Sequence, residues 1–100
     1  MPSGLDADRR ALDLDAAWRL APNVALRPES FGALLYHFGT RRLSFLKSRR
    51  LAEAVTALAE HPTARDACAR TGVGADELPR FAEALGTLAR TGMIVRRADA

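Results

Sequence analysis

Cysteine, histidine and lysine are nearly absent from this chain: Cys68 is the only cysteine, Lys47 the only lysine, and His37 and His61 the only histidines. A lone cysteine excludes an intramolecular disulfide and any multi-cysteine zinc site. The two histidines have neither HxxxH nor HExxH spacing, and no glycine-rich loop follows a strand to cradle phosphate. The sequence therefore predicts no metal, no cofactor and no enzyme. Cys68 falls on a small apolar helix face, where a thiol behaves as a small hydrophobe. No run of about 18 apolar residues occurs, and the opening MPSGLDADRRALDLD has no apolar targeting core. A membrane partner is not expected, and a reducing cytoplasm is the expected location.

What is present is ordinary globular material: 100 residues, 48% hydrophobic and 27% charged. That length gives one domain, too small to hold both a core and a deep catalytic cleft. Three segments separate by composition. Residues 1–15 read as a flexible N-terminal arm outside the core, with Leu12 and Leu14 able to dock on the body. Residues 16–97 form the domain, and 98–100 a frayed tail.

From Trp18 to Leu46 the pattern is strand-like, and it predicts a three-stranded antiparallel meander with turns at Pro28–Gly32 and Gly39–Thr40. A two-residue type II′ turn, with positive φ at Gly39, would set Tyr36 opposite Leu43 and Leu34 opposite Phe45. On that register Leu34, Tyr36, Phe38, Leu43 and Phe45 share one face, expected to be the core side. The hydrogen-bond alternation of such a hairpin would turn the main-chain groups of Arg42, Ser44 and Leu46 toward the free edge.

From Ser48 the period becomes helical. Leu51, Val55 and Leu58 recur after the N-cap candidate Ser48, and this first helix stops near His61-Pro62. A short second helix starts at Thr63 and stops at Gly72. The third starts near Asp76 with Pro79 in its first turn, carries Leu78, Phe81, Ala82, Leu85, Leu88 and Ala89 on one stripe, and stops at Gly92. Met93–Val95 can form a short last strand. The fold class is α+β, in a winged helix-turn-helix arrangement.

Many such folds read DNA, and a DNA-binding winged-helix regulator is the alternative function. A recognition helix should open with groups that suit base edges and phosphates. This one opens with Asp76-Glu77 and offers only Arg80 and Arg90 beyond them, too few cations for the phosphate contacts of a duplex binder. Nucleic acid is therefore not the expected partner.

The stretch GTRRLSFLKSRR, Gly39 to Arg50, holds four arginines and a lysine with no acid. Cations on an edge strand discourage edge-to-edge aggregation. They also suit an edge meant to be paired by an acidic extended peptide, whose main chain adds a strand. The two readings are compatible, since such an edge refuses neutral strands and accepts a negative one.

The run AWRLAPNVALRPESFGALLYHFGTRRLSFLKS, followed by LAEAVTALAEHPTARDACARTGV and ELPRFAEALGTLARTGMIV, resembles the peptide chaperones of mycofactocin biosynthesis. The resemblance spans about Ala17 to Arg97 and extends to the PqqD-like peptide recognition elements of ribosomally made, modified peptides. It implies a non-catalytic winged-helix module that binds the acidic leader of the mycofactocin precursor peptide by strand addition. The module then presents that peptide to a radical S-adenosylmethionine (radical SAM) maturase. Carried onto this sequence, the peptide site is the third strand and the third helix. The candidate peptide-binding residues are Arg41, Arg42, Leu43, Ser44, Phe45, Leu46 and Lys47, with Arg80, Phe81, Ala84 and Leu88. An apolar pocket is expected where Phe81, Ala84 and Leu88 would face Leu43 and Phe45.

Overall fold

The structure, a computed structural model, describes residues 12–97. The described residues form an α+β fold, with two small antiparallel sheets and three α-helices among them. Strand β1 (Trp18–Leu20) pairs with β5 (Ile94–Arg96), so the two ends of the domain are held together. Strands β2 (Val24–Glu29), β3 (Gly32–His37) and β4 (Arg42–Leu46) form the expected meander in the order β2-β3-β4. β1 carries no signal strong enough to be expected; three residues pairing with partners 74 to 78 positions away leave no local pattern.

Helix α1 (Arg49–Ala57) runs into a 3-10 turn at Leu58–Glu60 and is followed by α2 (Ala64–Arg70) and α3 (Leu78–Arg90). Ser48 caps α1 by accepting the Leu51 amide at 3.1 Å, and Thr63 caps α2 by accepting the Asp66 amide at 3.1 Å. Gly72 and Gly92, at φ 89° and 79°, end α2 and α3 in the left-handed conformation that closes a helix. The amides that follow them, Val73 and Met93, donate back to Cys68 O and Leu88 O.

The register Tyr36 to Leu43 and Leu34 to Phe45 is as expected, but the turn is not. β3 and β4 close at His37 and Arg42 around a four-residue loop, and the positive φ, 62°, belongs to Arg41 rather than Gly39. Arg41 N donates to His37 O at 2.7 Å, while His37 Nδ1 accepts the amides of Gly39 and Thr40, each at 3.1 Å. The histidine side chain thus satisfies loop amides that a two-residue turn would not have exposed.

The two faces of the sheet are reversed relative to the expectation. Ala33, Leu35 and Leu46 are buried and join the core with Val55, Leu58, Leu85, Met93 and Ile94. Leu43 and Phe45, expected in the core, are 52% and 58% exposed, and Phe38 is 61% exposed. Both faces are apolar, so alternation sorts the residues into two sets without saying which set is covered. Coverage is decided by α1, which leaves the end of β4 and packs back on the Leu35 and Leu46 side. At Gly32 the chain comes so close to the end of β4 that a Cβ would lie 2.0 Å from Leu46 O. Only glycine fits this approach.

Of the arm expected over residues 1–15, Leu12 is buried in the core, Leu12 N donates to Ala82 O at 3.0 Å, and Leu14 O accepts the Arg65 amide at 2.8 Å. Residues 12–15 are thus tied to the body. The earlier part of that arm and the 98–100 tail lie outside the described residues.

Leu35→Ala should cost about 2–5 kcal/mol of unfolding free energy, and Leu43→Ala no more than about 0.5 kcal/mol, both read by urea denaturation. Equal costs would put the core on the other face. Cys68 is fully buried and its thiol is pushed above its usual pKa by burial. It should resist a thiol reagent in the native protein and react only on unfolding.

Candidate peptide-binding site

β4 is an edge strand: β3 pairs with one side of it, and no described strand pairs with the other. Which of its residues face that open side follows from one bond in the neighbouring ladder. Phe38 N donates to Asn23 O at 2.8 Å, so the main-chain groups of Phe38, Tyr36 and Leu34 point toward β2 and those of His37, Leu35 and Ala33 toward β4. Their partners Arg42, Ser44 and Leu46 therefore point inward, and Leu43 and Phe45 offer their N–H and C=O groups to the open edge. Pro28 agrees, because its position opposite Ala33 faces away from β3, where a missing N–H costs no ladder bond. The expectation that Arg42, Ser44 and Leu46 form the free edge is thus corrected by one residue. The shorter turn assumed for the hairpin placed its closing hydrogen-bonded pair one position too far along.

Beyond β4 the chain enters a groove of about 610 Å³ between the start of α1 and the first half of α3. Ser48, Arg49, Arg50 and Leu51 form one wall, and Glu77, Arg80, Phe81 and Ala84 the other. Arg80, Phe81 and Ala84 thus lie together, as a pocket on this helix would require. Leu43 and Phe45 are not opposite them, because both point to the outer face of the sheet, and Leu88 is buried in the core. The residues missed by sequence reasoning are Ser48, Leu51, Glu53 and Glu77, which reach the groove only because α1 folds back beside α3.

The groove is bridged at one end. Arg50 Nη1 donates to both carboxylate oxygens of Glu77, at 2.6 and 2.8 Å, and Glu77 Oε1 also accepts the Gly74 amide at 3.1 Å. The Gly74 hydrogen bond first, then the charge of Arg50, holds the Glu77 carboxyl below its usual pKa. Arg50 is therefore committed within the fold. Among the described residues Arg41, Arg42, Lys47 and Arg49 carry no ion pair and are exposed, so their charge is directed at solvent and whatever comes from it. The described residues contain no cluster of His, Cys, Asp and Glu able to hold a metal ion, and none of their helices is long and apolar enough to cross a membrane.

Two open main-chain positions, an unpaired set of cations and a groove are the features of this candidate site. Residues 17–95 match the family described as the peptide chaperone MftB family. The chain belongs to that family, whose members are chaperones and not enzymes. It is 52% identical over 89 residues to a protein of Mycolicibacterium smegmatis named "Peptide chaperone MftB", covering 89% of this chain and 87% of the relative. A protein of the same name from Mycobacterium ulcerans is 50% identical over 94% of this chain and 86% of its own length. One from Mycobacterium tuberculosis is 50% identical over 91% of this chain and 84% of its own. No solved structure matches the chain significantly.

The corrected edge has a direct consequence. Leu43→Pro removes an N–H that faces solvent and should leave the protein folded by circular dichroism, whereas Ser44→Pro removes a ladder bond and should lower the melting temperature. The opposite ranking would return the free edge to Ser44.

Proposed function

We propose that this chain is a cytoplasmic chaperone of mycofactocin biosynthesis that binds the acidic leader of the precursor peptide as a fourth strand on β4. It presents the bound peptide to a radical SAM maturase. The fold is read accordingly as a winged helix-turn-helix, with β3 and β4 as the wing and α2 and α3 as the helix-turn-helix. The observation that carries this reading is the open β4 edge, with its unpaired cations, leading into the groove beside α3.

Energetics explain why both features are needed. Leu43 and Phe45 offer four main-chain groups, each worth about 0.5–1.5 kcal/mol net, while ordering the peptide backbone costs about 1–2 kcal/mol per residue. Main-chain bonds alone do not hold a peptide there. Apolar side chains of the leader must also leave water, and Leu51, Phe81 and Ala84 supply the apolar wall for that. Arg41, Arg42, Lys47 and Arg49 act earlier, by steering an acidic chain to the edge; such rim charges change association rate more than affinity. A DNA-binding role is disfavoured by Asp76 and Glu77 at the start of α3, where acids repel phosphate.

The test is direct binding of the synthetic precursor. The leader should bind with micromolar or tighter affinity, about −8 to −9 kcal/mol, and the isolated C-terminal core should not; equal binding of the two would refute the reading. In stopped flow at low salt, Arg41→Glu/Arg42→Glu should associate at least about tenfold more slowly than the parent, and added salt should narrow that gap. Equal rates would leave these arginines as protection of an open edge only.

A further inference from the structure

The outer face of the three-stranded sheet is unusually apolar for a surface open to solvent. Phe31, Phe38, Leu43 and Phe45 are all exposed large hydrophobic residues on or beside it. The rings are already packed on one another: Phe31 and Phe45 centroids are 6.2 Å apart, and Tyr36 and Phe38 meet edge to face at 4.9 Å. Exposed apolar surface of this kind marks a binding site where it adjoins the open edge, at Leu43 and Phe45.

Leu43 and Phe45 join this face to the open edge. The same two residues that turn their main-chain groups to the edge turn their side chains to the outer face. A strand added at β4 must place the residues opposite Leu43 and Phe45 on that face, two positions apart, and must send the intervening residue to the inner face. A second copy of this chain is a poor occupant of the edge, because it would bring Arg41, Arg42 and Lys47 of two copies together. An acidic peptide meets no such repulsion.

We infer that the bound peptide is read on both faces of its own strand, and that Leu43 and Phe45 are specificity residues for a pair of apolar peptide side chains spaced i and i+2 on the outer face. Phe31 holds the Phe45 ring in place from the neighbouring turn. This inference rests on the strand-addition reading above and adds a sequence rule to it: the segment that pairs with β4 alternates apolar residues with residues of another kind. The groove beside α3 takes side chains from elsewhere along the peptide or from the inner face.

The experiment measures binding of fluorescein-labelled precursor peptide by anisotropy to four folded proteins. These are the parent, Leu43→Ala/Phe45→Ala, Leu43→Pro and Phe38→Ala, whose ring packs on Tyr36 of β3 rather than standing on β4. The double alanine variant keeps every main-chain group and should bind at least about tenfold more weakly, which is about 1.4 kcal/mol, while Phe38→Ala binds as the parent does. An alanine scan of the peptide should then lose affinity at every second residue of one short segment. If the double variant binds normally while Leu43→Pro does not, strand addition stands and the outer-face rule is overturned. If neither change matters, the strand-addition reading itself fails. An equal loss in Phe38→Ala, or a dimer in sedimentation that the double variant dissolves, would assign the face to a folded partner or a second copy and likewise overturn the inference.

Discussion

The contact on which this protein depends is that of α1, with the 3-10 turn that follows it, on the inner face of the sheet, where Leu35 and Leu46 share one core with Val55 and Leu58. A sheet of three short strands is not stable with both faces in water, and one helix layer is enough to bury one of them. Only Lys47 and Ser48 separate β4 from α1, so the helix folds back directly beside the strand it leaves. That choice buries Ala33, Leu35 and Leu46, leaves Leu43 and Phe45 outside, and opens the groove between its own first turn and α3. The rest of the chain is arranged around this contact: β1 and β5 clamp the ends together, and Leu12 seals the core beside Ala82.

The site is an economical use of what that packing leaves over. An edge strand normally needs protection from pairing, and here Arg41, Arg42, Lys47 and Arg49 are unpaired, while Arg50 is engaged by Glu77. Glu77 at the same time ties the turn before α3 to the start of α1, so the groove's two walls are held by a shared ion pair and a backbone hydrogen bond.

Much of the fold is legible in the order of residues along the chain. The strand register around Gly39–Arg42, the caps Ser48 and Thr63, the stops Gly72 and Gly92 and the stripe of α3 are all local signals, each written within a few residues. The basic stretch and its edge location are legible too, since charge and strand order along a meander are properties of neighbours in the chain. Membership in the chaperone family is carried by the long run from Ala17 onward rather than by any short motif.

What the sequence could not decide were choices between equivalent local patterns. Alternation puts Leu43 and Phe45 on the same face, but both faces of this hairpin are apolar, and only the direction in which α1 packs says which one is buried. The loop length shifts the outward main-chain groups from Ser44 to its neighbours, because His37 Nδ1 accepts two loop amides that local propensity does not count. β1, Leu12 and Glu77 gain their places from partners distant in the chain. Sequence alone determined the elements, their caps and the charge of the edge, because those depend on residues a few positions apart. Which face is covered, which atoms line the edge and what walls the groove were decided by tertiary packing, because burial is set by where a distant helix comes to rest.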